Sequence, residues 1–141
     1  MDIIVHNKVV PAVNQIETHP YNQQIDTQVF LKENNIQIEA WAPFAEGKHN
    51  IFQNEILLSL AKKHRKGVGQ IILRWLTQRG VVAIAKTVRK ERMEENFHSM
   101  DFALDAEDMV AITPLDTKTS SFFDHRDPAM VKWLSERRMP E

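Results

Sequence analysis

The sequence contains no cysteine. That excludes a disulfide framework and any zinc site built on thiolates. It lacks an apolar run near the ~20 residues that span a bilayer, so no membrane-crossing helix is expected. It has no bias of charge: eighteen basic and nineteen acidic residues leave a net charge of −1. Bulk electrostatic attraction to nucleic acid or to an acidic membrane surface is therefore not expected. The opening stretch MDIIVHNKVVPAV has neither a basic start nor a long apolar core, so it does not read as a signal peptide. A cytoplasmic location is the default expectation. No repeat and no low-complexity linker interrupts the chain. What is present is ordinary globular composition, 43% hydrophobic and 26% charged over 141 residues, which suits one domain.

Strands and helices alternate. Residues 9–16 (VVPAVNQI) read as a strand, with Pro11 tolerable near its start. His19-Pro20 breaks the chain, and QQIDTQVFLKEN, ending at Asn34, reads as a helix. Residues 36–42 (IQIEAWA) alternate as a second strand, closed by Pro43, and 44–54 read as a polar loop. Residues 54–64 form a helix that Asn54 can cap, with Leu57, Leu60 and Ala61 inward. Val68, Ile71, Ile72, Trp75 and Leu76 then fall at i, i+3, i+4, i+7 and i+8, the most regular helical pattern in the chain. Residues 81–85 (VVAIA) form a continuous apolar run, as in a parallel strand buried on both faces. A helix over about 88–99 follows, with Met93, Phe97 and Met100 inward. Asp105 caps a short helix ended by Pro114. The tail is turn-rich, with one helical turn expected around Val131–Leu134. The order implies βαβ units and a parallel sheet. Both outer strands carry central-strand sequence, so the sheet lacks neighbours of its own.

One junction stands out. The helix after VVAIA starts with Arg89, Lys90 and Arg92, whereas the helix after Asp105 starts with Glu107 and Asp108. Cations at a helix start are unfavourable by about 0.3–1 kcal/mol each. A bound anion reverses that sign, because free backbone N–H groups and two or three cations make a phosphate site. The competing reading is a solvated face with pairs such as Lys90–Glu94. Lys86 lies at the carboxyl end of a strand, where α/β folds place ligands.

AVNQIETHP (12–20), EAWAPF (39–44), LRWLTQRG (73–80), AIAKTVRKERMEENF (83–97) and FDHRDPAMVKWL (123–134) resemble, in order, the carboxyl-terminal half of an aldo-keto reductase. The resemblance implies an α/β fold, a partial (β/α)8 TIM barrel. Residues 1–141 would form a single half-barrel of about the last three βα units plus a tail. It implies NADP(H) as cofactor and reduction of aldehydes and ketones. By the same resemblance, Gln15 meets the nicotinamide carboxamide and Trp41 stacks on its ring. Ala42 and Phe44 lie along the pyrophosphate, where Ser and Leu are frequent. Lys86, Thr87 and Arg92 hold the adenosine 2′-phosphate, and Glu95 and Asn96 contact the adenine side. Ala85 departs from a proline common there.

Without the resemblance, Gln15 reads first as a strand residue satisfying backbone groups and Trp41 first as a core residue. His19, Glu17 and His49 have no ligand-like spacing, and no metal site is expected. His19 reads as a turn or packing residue, and Asp124, His125 and Asp127 as loop anchors. The family's tyrosine, lysine, aspartate and histidine have no match, and the one tyrosine, Tyr21, sits in the THPY turn. No catalytic residue is therefore assigned. A barrel of ~250 residues is only half present. The expectations are a truncated, silent chain, one completed by self-association or a complementary half-barrel, or a non-enzymatic interaction module.

Overall fold

The structure, a computed structural model, describes residues 2–124 and 126–137. His125 lies outside the described residues. The elements run α1 (Asp2–His6), β1 (Val13–Glu17), α2 (Ile25–Glu33), β2 (Gln37–Trp41), α3 (Glu55–His64), α4 (Val68–Gln78), β3 (Val82–Ala83), α5 (Lys90–Phe97), α6 (Ala106–Ile112) and α7 (Pro128–Glu136). The three strands form one parallel sheet in the order β1-β2-β3. Glu17 pairs with Trp41, and Ala40 with Ala83. The sheet does not close. It is a partial (β/α)8 barrel with helices on one face.

The core forms where α3 and α4 meet β2. Ile71, Ile72, Trp75 and Leu76 of α4 are buried, as their spacing requires. So are Leu57, Leu60 and Ala61 of α3, and Ile38 and Ala40 of β2. Each large side chain removed from water contributes about 1.5–3 kcal/mol. The start of α3 is fixed by Asn54, whose Oδ1 accepts from the backbone N–H groups of Ile56 (3.1 Å) and Leu57 (3.2 Å). Asn54→Ala is expected to cost about 1 kcal/mol, read as a lower urea midpoint with an unchanged slope.

Two side chains tie the sheet to the last helices. Gln23 is buried, and its Nε2 donates to the carbonyls of Pro20 and Ile112, each at 2.9 Å. Arg79 lies over the Trp75 ring at 4.3 Å and donates to the Gln23 carbonyl at 2.7 Å. Burial draws its guanidinium down to about 10, against the pull of Asp116.

Three expectations change. The helix at 88–99 does not turn Met93, Phe97 and Met100 inward: they are 52, 74 and 56% exposed. α5 follows an edge strand and has no buried residue; one tie to α4 is the bond from Gln70 Nε2 to the Glu95 carbonyl (2.9 Å). Its apolar side has no described element to cover it. The stretch expected as loop winds into 3-10 turns over Ala45–Gln53, because i→i+3 bonds close locally and Ala45 and Ile51 plug the core. The tail forms two turns of helix, α7, rather than one. Asp127 starts it by accepting from the Ala129 N–H at 2.9 Å. Among the described residues, no helix is long and apolar enough to cross a membrane.

Candidate cofactor site

Strand alternation sorts the candidate residues. In β1 and β2, Gln15, Glu17, Glu39 and Trp41 share one face by register, and Ile38 and Ala40 the other. The second face meets the helices. The first is the helix-free face, which fills the interior of a closed barrel. Val82 pairs with Glu39 and continues that face, Ile84 extends the pairing with its N–H donating to the Ala40 carbonyl at 3.3 Å, and Lys86 follows beyond the strand, which ends at Ala83. Val13, Val82 and Ile84 are about half exposed. VVAIA is therefore not buried on both faces within this chain: Val81 is covered, while Val82 and Ile84 await the barrel interior.

All three strands point the same way, so their carboxyl ends share one rim. Gln15 Nε2 donates to a Glu39 carboxylate oxygen across the sheet. Trp41 ends β2. Its ring lies 4.9 Å from Phe122 and 6.4 Å from Phe123, centroid to centroid. Ala42 follows in the left-handed region, φ 49°, and its carbonyl accepts from the Ala45 N–H at 2.8 Å. Phe44 packs on Phe52 at 5.7 Å rather than projecting free.

The cationic end follows β3. Lys86 and Arg92 are exposed and form no ion pair among the described residues. Thr87 is half-buried, and its Oγ1 accepts from the Arg89 N–H at 3.1 Å, shaping the turn into α5. Lys90 approaches Glu94 at 4.0 Å, and Arg89 approaches Glu91 at 3.9 Å. The junction thus divides. Lys90 and Arg89 behave as a solvated face, while Lys86 and Arg92 remain available to an anion. Glu95 is exposed, and the Asn96 carbonyl accepts from Ser99 Oγ at 2.7 Å.

Sequence reasoning missed the residues that close the other end. A cavity of about 560 Å³ opens on the rim, lined by Gln15, Glu17, Trp41, Phe122, Phe123 and Arg126 among others. Glu17 is buried there. It accepts from His19 Nε2 (2.8 Å), the Ser121 N–H (2.8 Å) and Ser120 Oγ. Burial pushes its carboxyl up, but the bonds from His19, Ser120 and Ser121 outweigh burial and hold it below the usual carboxylate range. His19 is fully buried, and its Nδ1 accepts from the Tyr21 N–H. Only the adjacency of Glu17 and His19 to the THP turn signalled this; the partner Ser120 is a hundred residues away in sequence. Tyr21 packs edge-on against His49 at 6.2 Å and against His19 at 6.4 Å, ring centroid to ring centroid. Among the described residues, no cluster of metal-ligating side chains occurs.

A parallel βα sheet with polar, aromatic and cationic residues at its carboxyl-end rim is the arrangement of a (β/α)8 barrel, whose sites lie at that face. Residues 1–117 match the aldo/keto reductase family, and the chain belongs to that family. Aldose reductase B of Dictyostelium discoideum is 40% identical over 117 residues, 83% of this chain and 38% of the relative. Glyoxal reductase of Bacillus subtilis is 40% identical over 114 residues, 81% of this chain and 41% of the relative. The chain thus spans about two fifths of the length of these relatives. Among solved structures, MGS-M4, an aldo-keto reductase from a deep-sea metagenome library, superposes with a TM-score of 0.82 at 38% identity. That match covers 89% of this chain and 46% of the other. A Bombyx mori aldo-keto reductase in complex with NADP gives 0.79 at 30% identity, covering 89% and 43%.

Proposed function

We propose that this chain carries the adenosine-phosphate end, and part of the nicotinamide end, of an NADP(H) site belonging to a carbonyl reductase. The observation that supports this most is the pair Lys86 and Arg92, exposed and without ion-pair partners among the described residues, beside Thr87 at the end of β3. Two cations and a hydroxyl suit a phosphate monoester. In this reading Glu95 and Asn96 flank the adenine. Ala42 offers backbone to the pyrophosphate with Phe44 supporting that loop from beneath, and Gln15 and Trp41 receive the nicotinamide. NADPH supplies the hydride when bound. The chain's residues orient it; in this reading no residue matches the family's proton-donating tyrosine, and the isolated chain is expected to bind cofactor without turning over a carbonyl. Titration with NADPH tests this by calorimetry. Saturable binding supports the reading, and no binding at millimolar cofactor overturns it.

A second reading rests on the helix-free face and the two free edges, β1 and β3. Half-exposed Val13, Val82 and Ile84 lie on that face, and unpaired edges invite pairing. Completion by further βα units would bury both and supply the missing chemistry. Size-exclusion with light scattering is expected to show association at micromolar concentration. A strict monomer that captures no complementary polypeptide argues against it.

A further inference from the structure

The segment 117–123 is held across the rim by bonds that do not belong to the core. The Thr117 N–H and Oγ1 donate to the Tyr21 carbonyl at 2.9 and 2.7 Å. Ser120 Oγ and the Ser121 N–H donate to Glu17. Lys48 Nζ donates to the Ser121 carbonyl at 3.1 Å and sits 4.0 Å above the Phe122 ring. These ties deliver Phe122 and Phe123 to Trp41. Phe122 and Phe123 stay half-buried, and the segment has no strand or helix of its own.

From this arrangement we infer that residues 117–123 form an autoinhibitory strap that competes with the nicotinamide end of the cofactor for the Trp41 ring. The inference rests on the cofactor reading above. An indole offers two faces, and aromatic partners prefer ring separations of about 4.5–7 Å. Phe122 and Phe123 both fall inside that range, so a nicotinamide seated on the side of Trp41 that they occupy competes with them. The ties of Thr117 and Lys48 lie near solvent and exchange for water at small net cost, while the two bonds to buried Glu17 anchor the middle of the strap. Phe122 and Phe123, which follow that anchor, therefore swing off Trp41 without unfolding α3, α4 or β2. The cationic end is untouched: the bonds from Thr117, Ser120, Ser121 and Lys48 described above do not involve Lys86, Thr87 or Arg92. Cofactor binding thereby divides into an adenosine end that is always open and a nicotinamide end that is gated.

Adenosine 2′,5′-bisphosphate carries the phosphate and adenine but no nicotinamide, and it separates the two ends. Calorimetric titrations of NADP⁺ and of this fragment are run on the parent chain, Phe122→Ala and Lys48→Ala. Loss of the phenyl is expected to tighten NADP⁺ about three- to tenfold, the range of one aromatic pair. Lys48→Ala, which keeps the cavity wall but removes both the bond to the Ser121 carbonyl and the cation over Phe122, is expected to tighten it at least about twofold. The fragment binds all three proteins equally. Fragment binding with no gain in NADP⁺ affinity in either variant overturns the strap alone. A parent chain that fails to bind the fragment overturns the cofactor reading, and the strap with it.

Discussion

Replacing Arg92 by alanine is expected to weaken NADPH about tenfold while NADH changes less than about twofold, and Lys86→Ala with Arg92→Ala to reach about a hundredfold. The two cofactors differ only at the adenosine 2′ position, a phosphate in one and a hydroxyl in the other. A contact that acts on the phosphate therefore separates them, and a fold defect does not. Both side chains are exposed, so part of the attraction is screened and the affinity for NADPH falls as ionic strength rises. Neither is held in an ion pair among the described residues, so no internal partner must be broken before phosphate binds. Lys90→Ala is the control. Its ammonium lies 4.0 Å from Glu94, and its removal is expected to leave NADPH affinity within about twofold. Parallel titrations of the two cofactors give the answer. Equal loss for NADPH and NADH, or loss in Lys90→Ala as large as in Arg92→Ala, would show that general charge or folding rather than phosphate recognition is involved.

Asp108→Ala is expected to lower stability by about 2–4 kcal/mol, read as a fall of about 1–2 M in the urea midpoint. Asp108 starts α6 and is 2% exposed. Its two oxygens accept from Lys63 Nζ (2.7 Å) and His64 Nε2 (2.6 Å), and one also accepts from the Asp105 N–H (3.2 Å). Asp105 returns a bond to the Asp108 N–H at 2.9 Å, closing a capping box. The alanine variant leaves His64 and the Asp105 amide without their acceptor at a covered helix junction. Asp105→Ala is expected to do less, because Asp105 is exposed and its salt bridge to Lys63 lies in water. Midpoints that are equal for the two variants would mean that burial of Asp108 contributes nothing.

The same carboxylate sets an acid limit. Burial pushes Asp108 up, but the bonds from Lys63 and His64 pull it further down, to below 3.8. Glu17 lies below its ordinary 4.5 for like reasons. Both folded-state values are depressed. Their stabilising contributions are thus complete above about pH 4.5 and are lost as pH falls through the folded values. Urea midpoints measured from pH 7 to pH 3 are expected to stay level to about 4.5 and then decline. Asp108→Asn removes part of that decline. A decline already complete at pH 6 would point to other groups.

The helices that make the core were legible because period and burial coincide. Val68, Ile71, Ile72, Trp75 and Leu76 announce α4, and the fold covers every one of them. The Asn54 and Asp105 caps were legible because a helix start needs an acceptor within three residues. α5 misled for the opposite reason. Met93, Phe97 and Met100 have the spacing of an inner face, but spacing states only that a partner is wanted, and no described element supplies one. VVAIA misled in the same way. It is the sequence of a strand inside a barrel, and here one of its faces is bare. The strap was invisible. Glu17 and Ser120 come together only because the chain returns over the rim after α6, and no local pattern encodes that return.

By itself, the sequence determined which residues pair locally, which sides of α3 and α4 are buried, and that Lys86 and Thr87 follow a strand with Arg92 in the first turn of the next helix. These depend on contacts between residues a few positions apart, where backbone geometry alone sets the spacing. Only the tertiary structure decided that Lys86 and Arg92 have no ion-pair partner among the described residues. It alone decided that Trp41 is already faced by Phe122 and Phe123, and that Glu17 is a buried tie for the tail. Those outcomes depend on groups far apart in the chain competing for the same acceptors and the same ring face. Such a competition is settled by where the folded backbone brings them.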